Sequence, residues 1–141
     1  MNVVEDTRKH IDLVSSLLDD VTMELMNRGN SHDASKLQSP EREMYEIYRP
    51  KLDAIDIQSE EYKTTLREMG EGLKHHYTAN RHHPEHFDNG IRGMNLIDVI
   101  EMVCDWKAAA ARTGKPVNIE WARSRFGSQD DGLLFDVIRN T

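Results

Sequence analysis

The chain has 141 residues, a net charge of −7 and a single cysteine, Cys104. One domain with one hydrophobic core fits this length, whereas an internal disulfide framework and a thiolate zinc cluster are excluded. The acidic balance argues against a nonspecific nucleic-acid binder, and no apolar run approaches the roughly 20 residues that cross a bilayer. The first residues, Met-Asn-Val-Val-Glu-Asp, lack the apolar region of a signal peptide. A cytoplasmic protein is expected.

In chain order, the punctuation predicts helices and no strands. The first helix spans about Glu5 to Arg28, with Ile11, Val14, Leu18, Val21 and Leu25 on one apolar stripe, His10 at its edge and Gly29 as its stop. A short helical turn follows around Ser31–Leu37. Ser39-Pro40-Glu41 predicts a new start, with Ser as cap, Pro at the first helical position and an acid in the first turn. Ser59-Glu60-Glu61 begins the next helix, whose stripe is Tyr62, Leu66, Met69, Leu73 and His76. His76 therefore continues a buried face, and His75 points about 100° away from it. Thr78 to Gly93 reads as a loop, long enough to need an anchor.

Asn95–Arg112 is the most hydrophobic segment. Leu96, Ile97, Val99, Ile100, Met102 and Val103 cover most of its circumference, so it is expected to be central, with Cys104 a small core residue. Asp98 and Asp105 share one face, and a carboxylate on a buried helix needs a partner such as a histidine or an Arg. Two further helices are predicted, about Ile119–Phe126 and Gln129–Asn140, the last with Ser128 and Asp131 at its start. Trp106 and Trp121 are assigned to the core, and Arg123 and Arg125 to a solvated face. The fold class is all-α, a compact bundle of five to seven helices over residues 1–141.

Histidine stands out. There are seven, and His75, His76, His82, His83 and His86 lie within twelve residues. The polar residues that fall on apolar faces are His10, His76 and Asp105, joined by His32-Asp33 and by His82 and His83 in the loop. Imidazole and carboxylate together suit Mn, Fe, Co or Zn, and Mg less well. Buried aspartates supply the charge that neutral imidazoles lack. One or two divalent transition-metal ions are expected.

The order His10, His32-Asp33, His76, His82 or His83, then Asp105 in Val-Cys-Asp-Trp-Lys-Ala-Ala resembles the HD-domain superfamily of metal-dependent phosphohydrolases, over about residues 5 to 112. The resemblance implies an HD-like bundle. It implies His10, His32, Asp33 and Asp105 as a first metal site, with His76 and His82 or His83 at a second. HD nucleotidases acting on deoxynucleoside monophosphates commonly carry Glu three residues after the Asp. Here that residue is Lys36, as in two-metal branches where the Lys approaches substrate phosphate.

The chain is also similar to a narrower family of small bacterial and phage proteins. That similarity rests on Asn80-Arg81-His82-His83-Pro84-Glu85, on Gly93-Met94-Asn95-Leu96-Ile97-Asp98-Val99-Ile100-Glu101-Met102 and on Asp105-Trp106-Lys107-Ala108. It names no substrate; for a phage-encoded member the compartment is the host cytoplasm.

The expected activity is hydrolysis of a phosphoester in a nucleotide or related small phosphorylated metabolite. Asp33 positions the nucleophile, Lys36 and Arg81 contact phosphate, and His82 or His83 protonates the leaving oxygen, the other being a ligand. His75 and His86 are assigned to the surface, and Glu85 and Glu101 are weaker partners for a ligand histidine. Two other readings are a di-iron HD-type oxygenase and a non-catalytic, metal-stabilised phage–host interaction module. No membrane partner is expected, and a homo-oligomer is left open.

Overall fold

The computed structural model describes residues 2–127. All regular structure among them is helical: α1 (Val3–Ser31), α2 (Glu41–Ala54), α3 (Glu60–Ala79), α4 (Leu96–Thr113) and α5 (Ile119–Ser124). Short 3-10 turns occupy Ala34–Leu37, Pro84–His86 and Gly90–Gly93. The all-α class is thus the observed one. No helix among the described residues is long and apolar enough to cross a membrane. The final predicted helix, Gln129–Asn140, and its Ser128/Asp131 start lie outside the described residues.

Where the sequence suggests one domain, contacts divide the chain into two units, Met1–His32 and Asp33–Thr141. The first is α1. Asn2 caps it, its side chain accepting from the N–H groups of Val4 and Glu5, which satisfies donors that a helix start leaves open. A lone helix has no interior, and the stripe of Ile11, Val14, Leu18, Val21 and Leu25 buries nothing within this unit.

In the second unit α2 packs on α3. The crossing is close at Gly72, where a Cβ would run into the Met44 side chain. α3 starts where predicted, with Ser59 Oγ accepting from the Tyr62 N–H at 3.0 Å. It contains a kink the periodicity does not reveal. Gly70 has φ 52° and ψ −125°, a conformation essentially reserved for glycine. The stripe nonetheless runs across the kink, and Met69 and His76 are both buried.

The expected start of α2 is corrected. Pro40 sits at the N-cap position, α2 begins at Glu41, and no side chain caps it. Glu41 is the acid of the first turn, as predicted, and is fully buried.

α4 opens with a reciprocal cap. Asn95 Oδ1 accepts from the Asp98 N–H and Asp98 Oδ2 accepts from the Asn95 N–H, both at 2.9 Å. Val99 and Met102 from α4 join Ala122 and Phe126 in the apolar core, with Trp106 and Trp121 packed against it and edge to face with each other. α4 is less enclosed than its composition suggests. Leu96 is 65% exposed, and Cys104 is exposed rather than in the core, because the buried face is narrower than the apolar one. Arg125 departs from the predicted solvated face and pairs with Glu85.

Candidate metal centre

The centre is assembled from three stretches of the second unit: the turn at Asp33, α3 near its C-terminus, and the loop that follows. Asp33 has φ 54° and ψ 18°, a left-handed backbone that Asp tolerates better than most residues. The 3-10 turn it opens brings Lys36 back, so that Lys36 Nζ donates to Asp33 Oδ2 at 2.6 Å. Lys36 also lies over the Tyr45 ring, 4.5 Å from its centroid.

α3 delivers His76 and, one turn later at the C-cap, Asn80. The chain leaves the helix in an extended conformation. Pro84 restricts the residue before it, and His83 is extended accordingly, at φ −102° and ψ 129°. His82 and His83 are thereby turned back toward His76. His86, expected at the surface, is half-buried and helps hold this loop, its Nδ1–H donating to the Tyr77 carbonyl at 2.9 Å.

Asp33, His76, His82 and His83 each offer a ligand atom within 4.8 Å of the others. His76 Nε2 is 3.5 Å and His82 Nε2 is 3.3 Å from Asp33 Oδ1, and His76 Nε2 is 2.9 Å from His83 Nε2. Two ligands of one transition-metal ion, each at about 2.1 Å, stand roughly 3.0–3.4 Å apart at octahedral or tetrahedral angles. These three separations, 2.9–3.5 Å, are close to the spacing of a coordination shell. Asp105 lies at the edge of this group, with Oδ2 3.9 Å from His82 Nε2.

The surroundings favour the ligand forms of these groups. Burial pushes the His83 imidazole down to about 2, reinforced by neighbouring His82 and His76. Burial and Lys36 also lower His76, against the pull of Asp33 and Glu41. Both rings are neutral at pH 7, as metal ligation requires. Burial alone would raise the Asp33 carboxyl. The charge and the hydrogen bond of Lys36 oppose it, and Asp33 stays ionised, well below the usual carboxylate range.

Behind the donors stands a second layer that the sequence reading largely missed. Glu41 Oε2 accepts from Ser35 Oγ and from His76 Nδ1–H, both at 2.8 Å, while Oε1 accepts from His75 Nδ1–H at 2.6 Å. These hydrogen bonds overcome the upward effect of burial and leave Glu41 below its ordinary value. Asn80 Nδ2 donates to Ser35 Oγ at 2.8 Å and to the His76 carbonyl at 2.9 Å. Glu101 Oε1 is 3.1 Å from His82 Nδ1. With the His76 proton on Nδ1, it is His83 Nε2–H that donates across the 2.9 Å contact to His76 Nε2.

Of the sequence-derived residues, the second unit thus brings together Asp33, Lys36, His76, His82 and His83, with Asp105 at the rim. Both loop histidines offer a nitrogen to this group. His10 and His32 belong to the first unit, His10 within α1 and His32 at its C-cap. Arg81, read as a phosphate contact, is held by Asp98 through a two-pronged ion pair, Nε to Oδ1 at 3.1 Å and Nη2 to Oδ2 at 3.0 Å. The reading of Asp98 as a helix-face acid holding an Arg is what is observed. A signal for part of the missed layer existed. Glu101 and Asp105 are four apart on one helix, and so are His76 and Asn80, which places each pair on a common face.

No curated protein and no solved structure matches the chain. A family model does, over residues 1–139, and by that match the chain belongs to DUF5662, a family of unknown function.

Proposed function

We propose that the chain is a metal-dependent hydrolase of phosphoesters, acting on a nucleotide or a related small phosphorylated metabolite. The observation that carries this reading is the convergence of three imidazoles and one ionised carboxylate within 4.8 Å, a donor set suited to Mn, Fe, Co or Zn. Asp33, His76, His82 and His83 are the proposed ligands in this unit. A divalent ion bound there lowers the pKa of coordinated water and polarises a phosphoryl oxygen.

The chain's own contribution is positioning and charge. Asp33 is held in one orientation by Lys36, its Oδ1 facing His76 and His82. Lys36 is the cation beside this group, and its ammonium is the contact proposed for the non-bridging phosphate oxygens. Arg81 is assigned a bracing role through Asp98 instead. The lone Cys104 fits a reducing cytoplasm as the place of the reaction. The HD resemblance supports the same reaction class through His32-Asp33 and Asp105.

The test is elemental analysis of untagged protein, followed by a nucleotide and phosphoester panel with Mn, Fe, Co, Zn and Mg. Asp33→Ala is expected to abolish metal binding and turnover together. Full metal occupancy in Asp33→Ala, or no turnover with any metal across the panel, would sink the assignment. Oxygen consumption by the iron-loaded protein would favour an oxygenase instead.

A further inference from the structure

A neutral imidazole carries one proton and presents one lone pair, and the group bonded to one nitrogen decides which nitrogen faces the other way. His76 and His82 come from different elements, the helix α3 and the loop after it. Yet each has Nδ1 on a glutamate and Nε2 toward Asp33 Oδ1. Each glutamate lies closer to Nδ1 (2.8 Å at His76, 3.1 Å at His82) than Asp33 Oδ1 lies to Nε2 (3.5 and 3.3 Å), so of the two acceptor carboxylates at each ring the glutamate draws the proton to Nδ1. The two Nε2 lone pairs then converge on the same side of Asp33.

We propose that Glu41 and Glu101 are paired positioning residues that fix His76 and His82 as Nδ1–H tautomers and so set the metal affinity of the centre. This rests on the metal-site reading above. Glu41 is the more constrained of the two. It is fully buried and takes three donors, Ser35 Oγ, His75 Nδ1 and His76 Nδ1, so its carboxylate cannot rotate without breaking several bonds. Ser35 is itself held by Asn80, which returns to the His76 carbonyl. The arrangement closes a ring of hydrogen bonds around the base of one ligand. Glu101 reaches its histidine from α4, so the two ligands are oriented from opposite elements.

The first experiment needs no variant and no metal. Long-range proton–nitrogen correlation spectra of the full-length, metal-free protein, recorded well above the ordinary histidine pKa of about 6.5, report the tautomer of each ring. His76 and His82 are both expected as Nδ1–H; an Nε2–H form of either overturns the proposal. The second experiment uses Glu101→Gln and Glu41→Gln with zinc as the probe, in competition with a chromophoric chelator. Each variant is expected to bind zinc about 10–100-fold more weakly. Glu101→Gln should loosen the tautomer preference of His82 and leave that of His76 unchanged. Wild-type affinity in a folded Glu101→Gln protein, or an unchanged His82 tautomer, overturns the proposal even if Glu41→Gln fails to fold. A wild-type protein that binds no zinc but shows both Nδ1–H tautomers would instead overturn the metal reading and leave the orienting role of the glutamates standing.

Discussion

The second unit has two interiors built on opposite principles. Between α4 and α5 the interior is apolar, with Val99, Met102, Ala122 and Phe126 buried and the two Trp rings closing the side. Around the end of α3 it is polar, with Glu41, His76, Asn80 and His82 buried and Asp33 beside them. Burial stabilises the first directly, at about 25 cal/mol per Å² of apolar surface. In the second, burial works against the charged forms, and hydrogen bonds must offset it. On the proposed function, that cost at Asp33 and Glu41 serves a ligand rather than stability alone. The two regions should therefore respond differently to mutation and to pH.

The largest expected effect tests the apolar side. Met102 is 1% exposed, and Met102→Ala should cost about 2–5 kcal/mol of folding stability through lost burial and a cavity. Chemical denaturation measures it. Zinc affinity of the folded fraction should stay at the wild-type level. A large loss of affinity in Met102→Ala would show that the polar interior depends on the apolar one, and the contrast between them would collapse.

The next effect is at the joint between the regions. Asp98 is fully buried on α4, where it completes the cap at Asn95 and holds Arg81, the residue before His82. Asp98→Ala leaves the Asn95 cap in place but removes the return bond to the Asn95 N–H, worth about 0.5–1.5 kcal/mol, and charge-assisted bonds to Arg81 worth about 1.5–3 kcal/mol. The exposed side of Arg81 keeps part of that from being felt. The expected loss is about 2–3 kcal/mol in stability, together with weaker zinc binding because the loop bearing His82 loses its brace. A stability loss with unchanged zinc affinity would show that the loop is held by other contacts, such as His86 to Tyr77.

The contrast also explains what was legible in the sequence. Elements that answer to periodicity and capping are readable: Ser59 and Asn95 start α3 and α4 as their residue types predict, and the stripe of α3 separates buried His76 from half-exposed His75. His82 and His83 were findable because histidine is conspicuous in clusters, and Asp33 because it forms the His32-Asp33 pair of the HD resemblance. Glu41 was not. A glutamate in a first helical turn is ordinarily a solvated dipole partner, and its burial here depends on Ser35 from one side and His75 and His76 from the other, six and about 35 residues away. Pairings at that separation leave no local trace. Cys104 failed for the reverse reason: its apolar neighbours suggest a buried face, but facing elements decide which residues are covered. Arg81 looked available for phosphate because nothing local shows that Asp98, seventeen residues on, engages it.

The last contrast is in pH. His83 titrates near 2 in the folded protein and near 6.5 when unfolded. Between those values the unfolded chain binds the extra proton, so stability falls as pH falls, by about 1.4 kcal/mol per pH unit for one proton. His76 is shifted in the same direction and steepens the fall just below pH 6.5. Asp33 also has a depressed folded value, but its contribution is intact above the unfolded carboxylate range and is lost only below about pH 4. The window from about pH 6.5 to about pH 4.5 therefore isolates the histidines. Denaturation of chelator-treated protein across that window should show a slope of at least one proton. His83→Asn should reduce it, whereas Met102→Ala should lower stability by the same amount at every pH. A flat profile for the wild-type protein would mean that His83 gains its proton without disturbing the fold, and the polar interior would be less closed than its geometry indicates.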